Sequence, residues 1–151
     1  MKNLFRTLVK TNPNLGFSIA RMTLGLVIFP HGAQKLLGLF GGYGYSGTME
    51  SLTTQMDLPS IVAFSVIMIE FFGSISLVLG LFSRFWALSL IGMFLGIIFT
   101  TQLEHGFFMN WFGNQAGEGY EYSLLVIGIA LSILMNGSGK YSVDTIISQK
   151  Q

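Results

Sequence analysis

The sequence contains no cysteine and very little charge: of 151 residues, 8 are Lys or Arg, 7 are Asp or Glu and 2 are His. Without a thiol, the chain alone cannot build a disulfide, a thiolate zinc site, an Fe–S cluster or a dithiol relay. A charged fraction of 10% stands against about 25% for an ordinary soluble domain, too little to coat a water-facing surface. A net charge of +1 carried on scattered cations gives no basic footprint, so nucleic acid is excluded as a partner. What the chain does hold is apolar: 51% of residues, with 14 Phe and 19 Gly and a mean hydropathy of +0.62. Its natural partner is a lipid bilayer.

A span needs roughly 20 mostly apolar residues. Windows of that kind, bounded by charge, proline or glycine, lie at about 16–37, 61–82, 85–103 and 120–135, the last being the shortest. They predict an all-α, integral membrane four-helix bundle forming a single domain over 1–151. The first window follows Lys2, Arg6 and Lys10 and resembles a secretory signal, but it has no small-residue cleavage site and contains Arg21, so it is read as retained. Positive flanks stay cytoplasmic. Lys2, Arg6 and Lys10 before the first span, Arg84 between the second and third, and Lys140 and Lys150 after the fourth therefore place both termini inside. Glu50, Asp57, Glu104, Glu118 and Glu121 fall in the two outer loops.

Residues 1–10 set Leu4, Phe5, Leu8 and Val9 opposite Lys2, Arg6 and Lys10, the pattern of an interfacial helix. The first outer loop offers a short amphipathic helix over 48–56 before Pro59 opens the second span. Gly42-Tyr-Gly44-Tyr-Ser-Gly47 matches a dinucleotide-binding fingerprint literally, but no strand precedes it and no βαβ unit surrounds it. Gly92-x-x-x-Gly96 reads as a close helix crossing, within the bundle or between protomers of a homo-oligomer. Asn136-Gly-Ser138 spells a glycosylation sequon on the side where it would not be modified.

Ionisable side chains at membrane depth are expensive and mark functional sites. Glu70 lies about 14 Å into the second span, near mid-bilayer, where a carboxylate must be paired or protonated. Arg21, His31 and Lys35 fall within an arc of about 80° on the first helix. The expected site is a polar recess in the outer half of the bundle, lined by His31, Gln34, Lys35 and Glu70 and roofed by His105 and Glu121. Glu70 and His31 would exchange protons, with Gln34, Lys35, Arg21, His105 and Glu121 orienting a ligand. Duller accounts stand beside these. Arg21 can snorkel to the cytoplasmic headgroups, Lys35 can anchor a helix end, His31 can be a packing histidine, and Glu70 can lock two helices by a hydrogen bond. No haem, flavin or metal motif is present. The two histidines differ in depth, and no His/Glu spacing reproduces a ligand set.

The chain resembles the DoxX family of small bacterial inner-membrane proteins. The resemblance rests on Arg21-Met-Thr-Leu-Gly25, His31-Gly-Ala-Gln34-Lys35-Leu, Phe40-Gly-Gly42, Glu70 with Gly73, and Leu79-Gly80-Leu-Phe-Ser-Arg84. It continues through Gly106-Phe107-Phe108, Gly119-Tyr-Glu121-Tyr122 and Gly137-Ser-Gly139-Lys-Tyr-Ser142-Val-Asp144. It implies a four-span fold and a link to membrane redox work, since thiosulfate:quinone oxidoreductase contains a similar subunit and some relatives associate with oxidative-stress enzymes. The recurrent polar positions it carries over are Arg21, His31, Gln34, Lys35, Glu70 and Glu121. Members often place a histidine four residues before Gly-Phe-Phe, where this chain has Gln102.

Three functions are expected. The first is a redox-associated subunit binding a quinone-like headgroup, with electrons supplied by a redox partner protein. The second is a non-catalytic scaffold that anchors a partner enzyme. The third is a small dimeric transporter or lipid-handling protein, because four spans are few for alternating access.

Overall fold

The computed structural model describes residues 2–149, with side chains from residue 5 onward. Lys150, and the side chains of Lys2 and Leu4, lie outside the described residues. Among them there is no β-strand. The elements are α1 (Lys2–Val9), α2 (Leu15–Leu37), α3 (Gly44–Glu50, extended by a wide π turn Ser51–Gln55), α4 (Ser60–Leu79), α5 (Ser83–His105), α6 (Glu121–Asn136) and α7 (Val143–Gln149).

The helix limits arise from local chemistry. Asn14 accepts the Gly16 N–H at 2.7 Å and starts α2, while Gly38, at φ 71°, ends it in the left-handed region. Pro59 directly precedes α4, as expected. α4 is interrupted by a π turn over Ile69–Gly73 and α5 by another over Ile98–Gln102. Such wide turns occur mostly as single insertions, frequently at functional sites. Here they carry Glu70 and Gln102.

α2 packs along α4 and α6, and α5 along α6 and α4. One apolar core joins them: Leu24 and Ile28 of α2, Leu77 of α4, Leu90, Phe94 and Ile98 of α5, and Val126, Ala130 and Ile133 of α6. Large apolar residues also face outward, among them Ile19, Leu26, Ile61, Leu88, Phe99 and Leu125. An apolar exterior of that extent belongs against lipid rather than water. Three helices are long and apolar enough to cross a membrane: Leu15–Leu37, Ser60–Leu79 and Ser83–His105. The fourth predicted span is the 16-residue α6. At 1.5 Å per residue it measures about 24 Å, short of the roughly 30 Å hydrocarbon thickness.

Within the bundle, the close helix crossing lies elsewhere than at the spacing motif. Gly92 and Gly96 are exposed, and a Cβ on either would meet nothing within 4 Å. α2 and α4 instead meet at Gly25 and Gly32. A Cβ at Gly32 would come within 2.5 Å of the backbone of Glu70 and Phe71, and one at Gly25 within 2.7 Å of the Ser74 carbonyl oxygen. Backbone cannot yield as a side-chain tip can. Gly32→Val is therefore expected to push the two helices apart and to cost about 1–3 kcal/mol, read as a lower thermal midpoint in detergent. An unchanged midpoint would contradict this packing.

α1 forms as expected but packs on protein. Val9 is buried, and the Phe5 ring meets Phe82 edge-on at 6.0 Å.

Candidate functional site

The polar side chains form two separate clusters at different levels of the bundle. In the first, the π turn of α4 presents Glu70 toward α2 at the Gly32 crossing, and Lys35 follows Gly32 by about one helical turn. Lys35 Nζ donates to Glu70 Oε2 at 2.5 Å. The Glu70 side chain is only 6% exposed and that of Lys35 28%, so the carboxylate sits inside while the ammonium bridges it to a recess. That recess, about 310 Å³, is lined by Gln34, Lys35, Gly42, Tyr43, Thr48 and Ser51 among others. Its floor is tight, because Gly42 lies against the Gln34 backbone and Gln34 Nε2 donates to the Phe40 carbonyl at 3.2 Å. A buried carboxylate with an ammonium at the mouth of a polar hollow can hold or pass a proton and can donate a hydrogen bond to a ligand oxygen.

The structure does not bring the remaining expected residues there. His31 is exposed on α2. His105 lies 3.6 Å from Glu104, with the Gly117 backbone against its ring. It lines a different recess, of about 390 Å³, with Thr100, Thr101 and the segment from Gln55 to Leu58. Glu121 accepts from Trp111 Nε1 at 3.3 Å, which ties the aromatic loop to the start of α6. The roof over Glu70 expected from His105 and Glu121 is therefore not formed by their side chains.

Arg21 is the largest departure. It neither snorkels to solvent nor joins the Glu70 recess, and its relative exposure is 0%. Its guanidinium donates to four carbonyls: Ser138 through Nε at 2.8 Å, Leu77 and Val78 through Nη1, the latter at 2.6 Å, and Tyr141 through Nη2 at 3.3 Å. It thereby satisfies the end of α4 and the segment before α7 together. Asp144, 1% exposed, does the converse for α5. It accepts the N–H groups of Phe82 at 2.8 Å and Ser83 at 3.1 Å, and the Ser138 hydroxyl. Orphan carbonyls and orphan N–H groups at helix ends both need such partners, and charge of the right sign suits each end. Gly80, at φ 71°, turns the chain between them, and a Cβ there would collide with Ser142.

Residues that sequence reasoning missed lie in both clusters. Tyr122 has a buried hydroxyl without a hydrogen-bond partner among the described residues, and the Glu70 carboxylate is a charge acting on it. Ser123 Oγ donates to Gln102 Oε1 at 2.7 Å, so the Gln102 amide holds α5 to α6. Ser138 and Asp144 bond each other across six positions, but their bonds to Arg21, Phe82 and Ser83 join residues far apart in sequence.

The DoxX family model matches residues 16–103, more than half of the chain. This chain belongs to the DoxX family. The match covers Arg21, Gly32, Lys35 and Glu70 and stops just after Gln102. The DoxX chain is also similar to "Putative oxidoreductase CatD" of Bacillus subtilis (strain 168), 26% identical over 133 residues, 88% of this chain and 87% of that protein. It is similar to "Inner membrane protein YqjF" of Escherichia coli (strain K12), 25% identical over 142 residues, 94% of this chain and 99% of that protein. No solved structure matches.

Proposed function

We propose that this DoxX protein is a multi-pass inner-membrane subunit of a redox-associated complex that holds a quinone-like headgroup beside Lys35 and Glu70. The observation that carries the reading is the 2.5 Å Lys35–Glu70 pair, sunk about 15 Å into α4 and joined through Lys35 and Gln34 to a recess of about 310 Å³. In this reading α6 is a fourth, short span, and both termini are cytoplasmic by the positive flanks. Reduction of a quinone takes up two electrons and two protons. The electrons come from a partner protein, because the chain has no redox group of its own, and Glu70 passes protons while Lys35 and Gln34 hold the ring oxygen. Lys35 keeps the ligand-holding role expected of it, and the exposed His31 takes no part in the pair. The names of the relatives, "Putative oxidoreductase CatD" and "Inner membrane protein YqjF", support that reading.

A scaffold reading has its own support, since the same pair ties α2 to α4 at the Gly32 crossing. The two separate by experiment. Protein reconstituted in nanodiscs is expected to bind a short-chain ubiquinone, and Glu70→Gln is expected to weaken binding about tenfold by removing one charged hydrogen-bonding partner. If the wild type binds no quinone, or Glu70→Gln binds it equally well, the quinone reading fails and the scaffold stands.

A further inference from the structure

Outside the interior residues Arg21, Lys35 and Glu70, the charges of the described residues are sorted by end. Glu50, Asp57, Glu104, Glu118 and Glu121 belong to the end where α2 meets α3 and α5 meets α6. The opposite end carries Arg6, Lys10, Arg84 and Lys140. Among the described residues its carboxylate is Asp144, which is 1% exposed and already accepts three hydrogen bonds. Among those residues, no exposed acid there offsets the cations.

Two recesses open at this basic end. One, about 380 Å³, is lined by Arg6, Val9, Lys10, Thr11 and Ser148. The other, about 540 Å³, includes Lys10, Thr11, Arg84 and Met135 in its walls. They share Lys10 and Thr11, and each adds one arginine. The shared wall is fixed in place: Asn12 N–H donates to the Asn136 carbonyl at 2.9 Å, Gly139 N–H to Thr11 Oγ1 at 2.7 Å, and Arg84 Nε to the Lys10 carbonyl at 3.0 Å. Arg84 gives two more bonds, to Leu134 and Met135 carbonyls, which leaves two of its five N–H groups for a ligand. Lys10 stands exposed between the interfacial α1 and the first span, at headgroup level. Met135, 75% exposed, adds an apolar wall where acyl chains would begin. Basic pockets at the ends of membrane helices are where anionic headgroups bind.

We propose that these adjoining recesses take the two phosphates of a diphosphate phospholipid headgroup, one beside Arg6 and one beside Arg84, with Lys10 between them. The site is independent of the Glu70 recess and stands whether or not a quinone binds there.

The test is native mass spectrometry of the full chain in detergent, with cardiolipin, phosphatidylglycerol and phosphatidylcholine each added in turn. Cardiolipin is expected to be retained above the other two. Lys10→Gln and Arg6→Gln are each expected to lower its occupancy about fivefold, the effect of one basic residue at an anionic surface. Both side chains are exposed, so the fold should survive. Lys140→Gln removes the same charge outside the recesses and is expected to change nothing. Equal retention of phosphatidylglycerol, an equal loss with Lys140→Gln, or displacement of the lipid by inorganic phosphate at the same concentration would each overturn the proposal.

Discussion

Replacing Arg21 by Met is expected to lower the stability of the folded protein by about 3–5 kcal/mol, the range found when one partner is stripped from a buried charged cluster. Met fills the aliphatic volume but cannot donate to Ser138, Leu77, Val78 and Tyr141, whose carbonyls the guanidinium reaches from one point. The Leu77 carbonyl keeps the Gly80 N–H at 3.1 Å, but the carbonyl of the buried Ser138 would lose a donor that water does not replace. Asp144 would also lose its buried cationic neighbour. Arg21→Lys should rescue only part of the loss, because one ammonium cannot cover a fan of carbonyls that a planar fork with five N–H groups spans. The measurement is the thermal midpoint and the yield of monodisperse protein in a single detergent. Wild-type values for Arg21→Met would mean that the four bonds contribute nothing net.

The second large effect concerns Lys35 and Glu70, and its signature is non-additivity. Lys35→Met leaves a carboxylate that is 6% exposed without its cation, and it should destabilise by about 3 kcal/mol. Glu70→Leu alone strands an ammonium, but Lys35 is partly exposed and can turn toward solvent, so its cost should be smaller. The double replacement removes both charges and fills the space with apolar atoms. Such exchanges of a buried pair are often neutral or stabilising, and the double variant should melt near the wild type. A coupling energy of about 2 kcal/mol from the thermodynamic cycle is the expected result, and additivity would show that the pair does not couple. The same double variant isolates function, because it keeps the fold while removing the groups proposed to hold a quinone oxygen and its protons. A well-folded double variant that still binds a short-chain ubiquinone at wild-type strength would end that proposal.

The sequence revealed the helices better than their faces. Hydropathy placed Leu15–Leu37, Ser60–Leu79 and Ser83–His105 within a few residues, because apolar length and bounding charges are local properties. It also raised Glu70 and Lys35 as candidates, since charge at membrane depth is conspicuous wherever it points. The angular argument that joined Arg21, His31 and Lys35 on the continuous α2 could not say which arc meets a neighbour. In the fold, Arg21 is buried, Lys35 reaches Glu70 and His31 is exposed. π turns at Ile69–Gly73 and Ile98–Gln102 each add a residue to a turn and rotate the rest of the helix, which a fixed period misses. Gly92 and Gly96 had the spacing of a crossing, but Gly25 and Gly32 had the neighbours. The cluster of Arg21, Ser138 and Asp144 was illegible because the bonds that tie it to α2, α4 and α5 join residues more than 50 positions apart.

That distance has a temporal meaning. The Ser138 carbonyl that receives Arg21 lies 117 positions downstream, so at 5–20 residues per second a ribosome needs on the order of ten seconds to deliver it. Through the second half of that interval the nascent α2 carries a cation that can meet the Leu77 and Val78 carbonyls but not yet those of Ser138 and Tyr141. The fan of bonds is therefore completed only by the last-made segment, and a transcript cut short before codon 138 would leave Arg21 with two of its four acceptors.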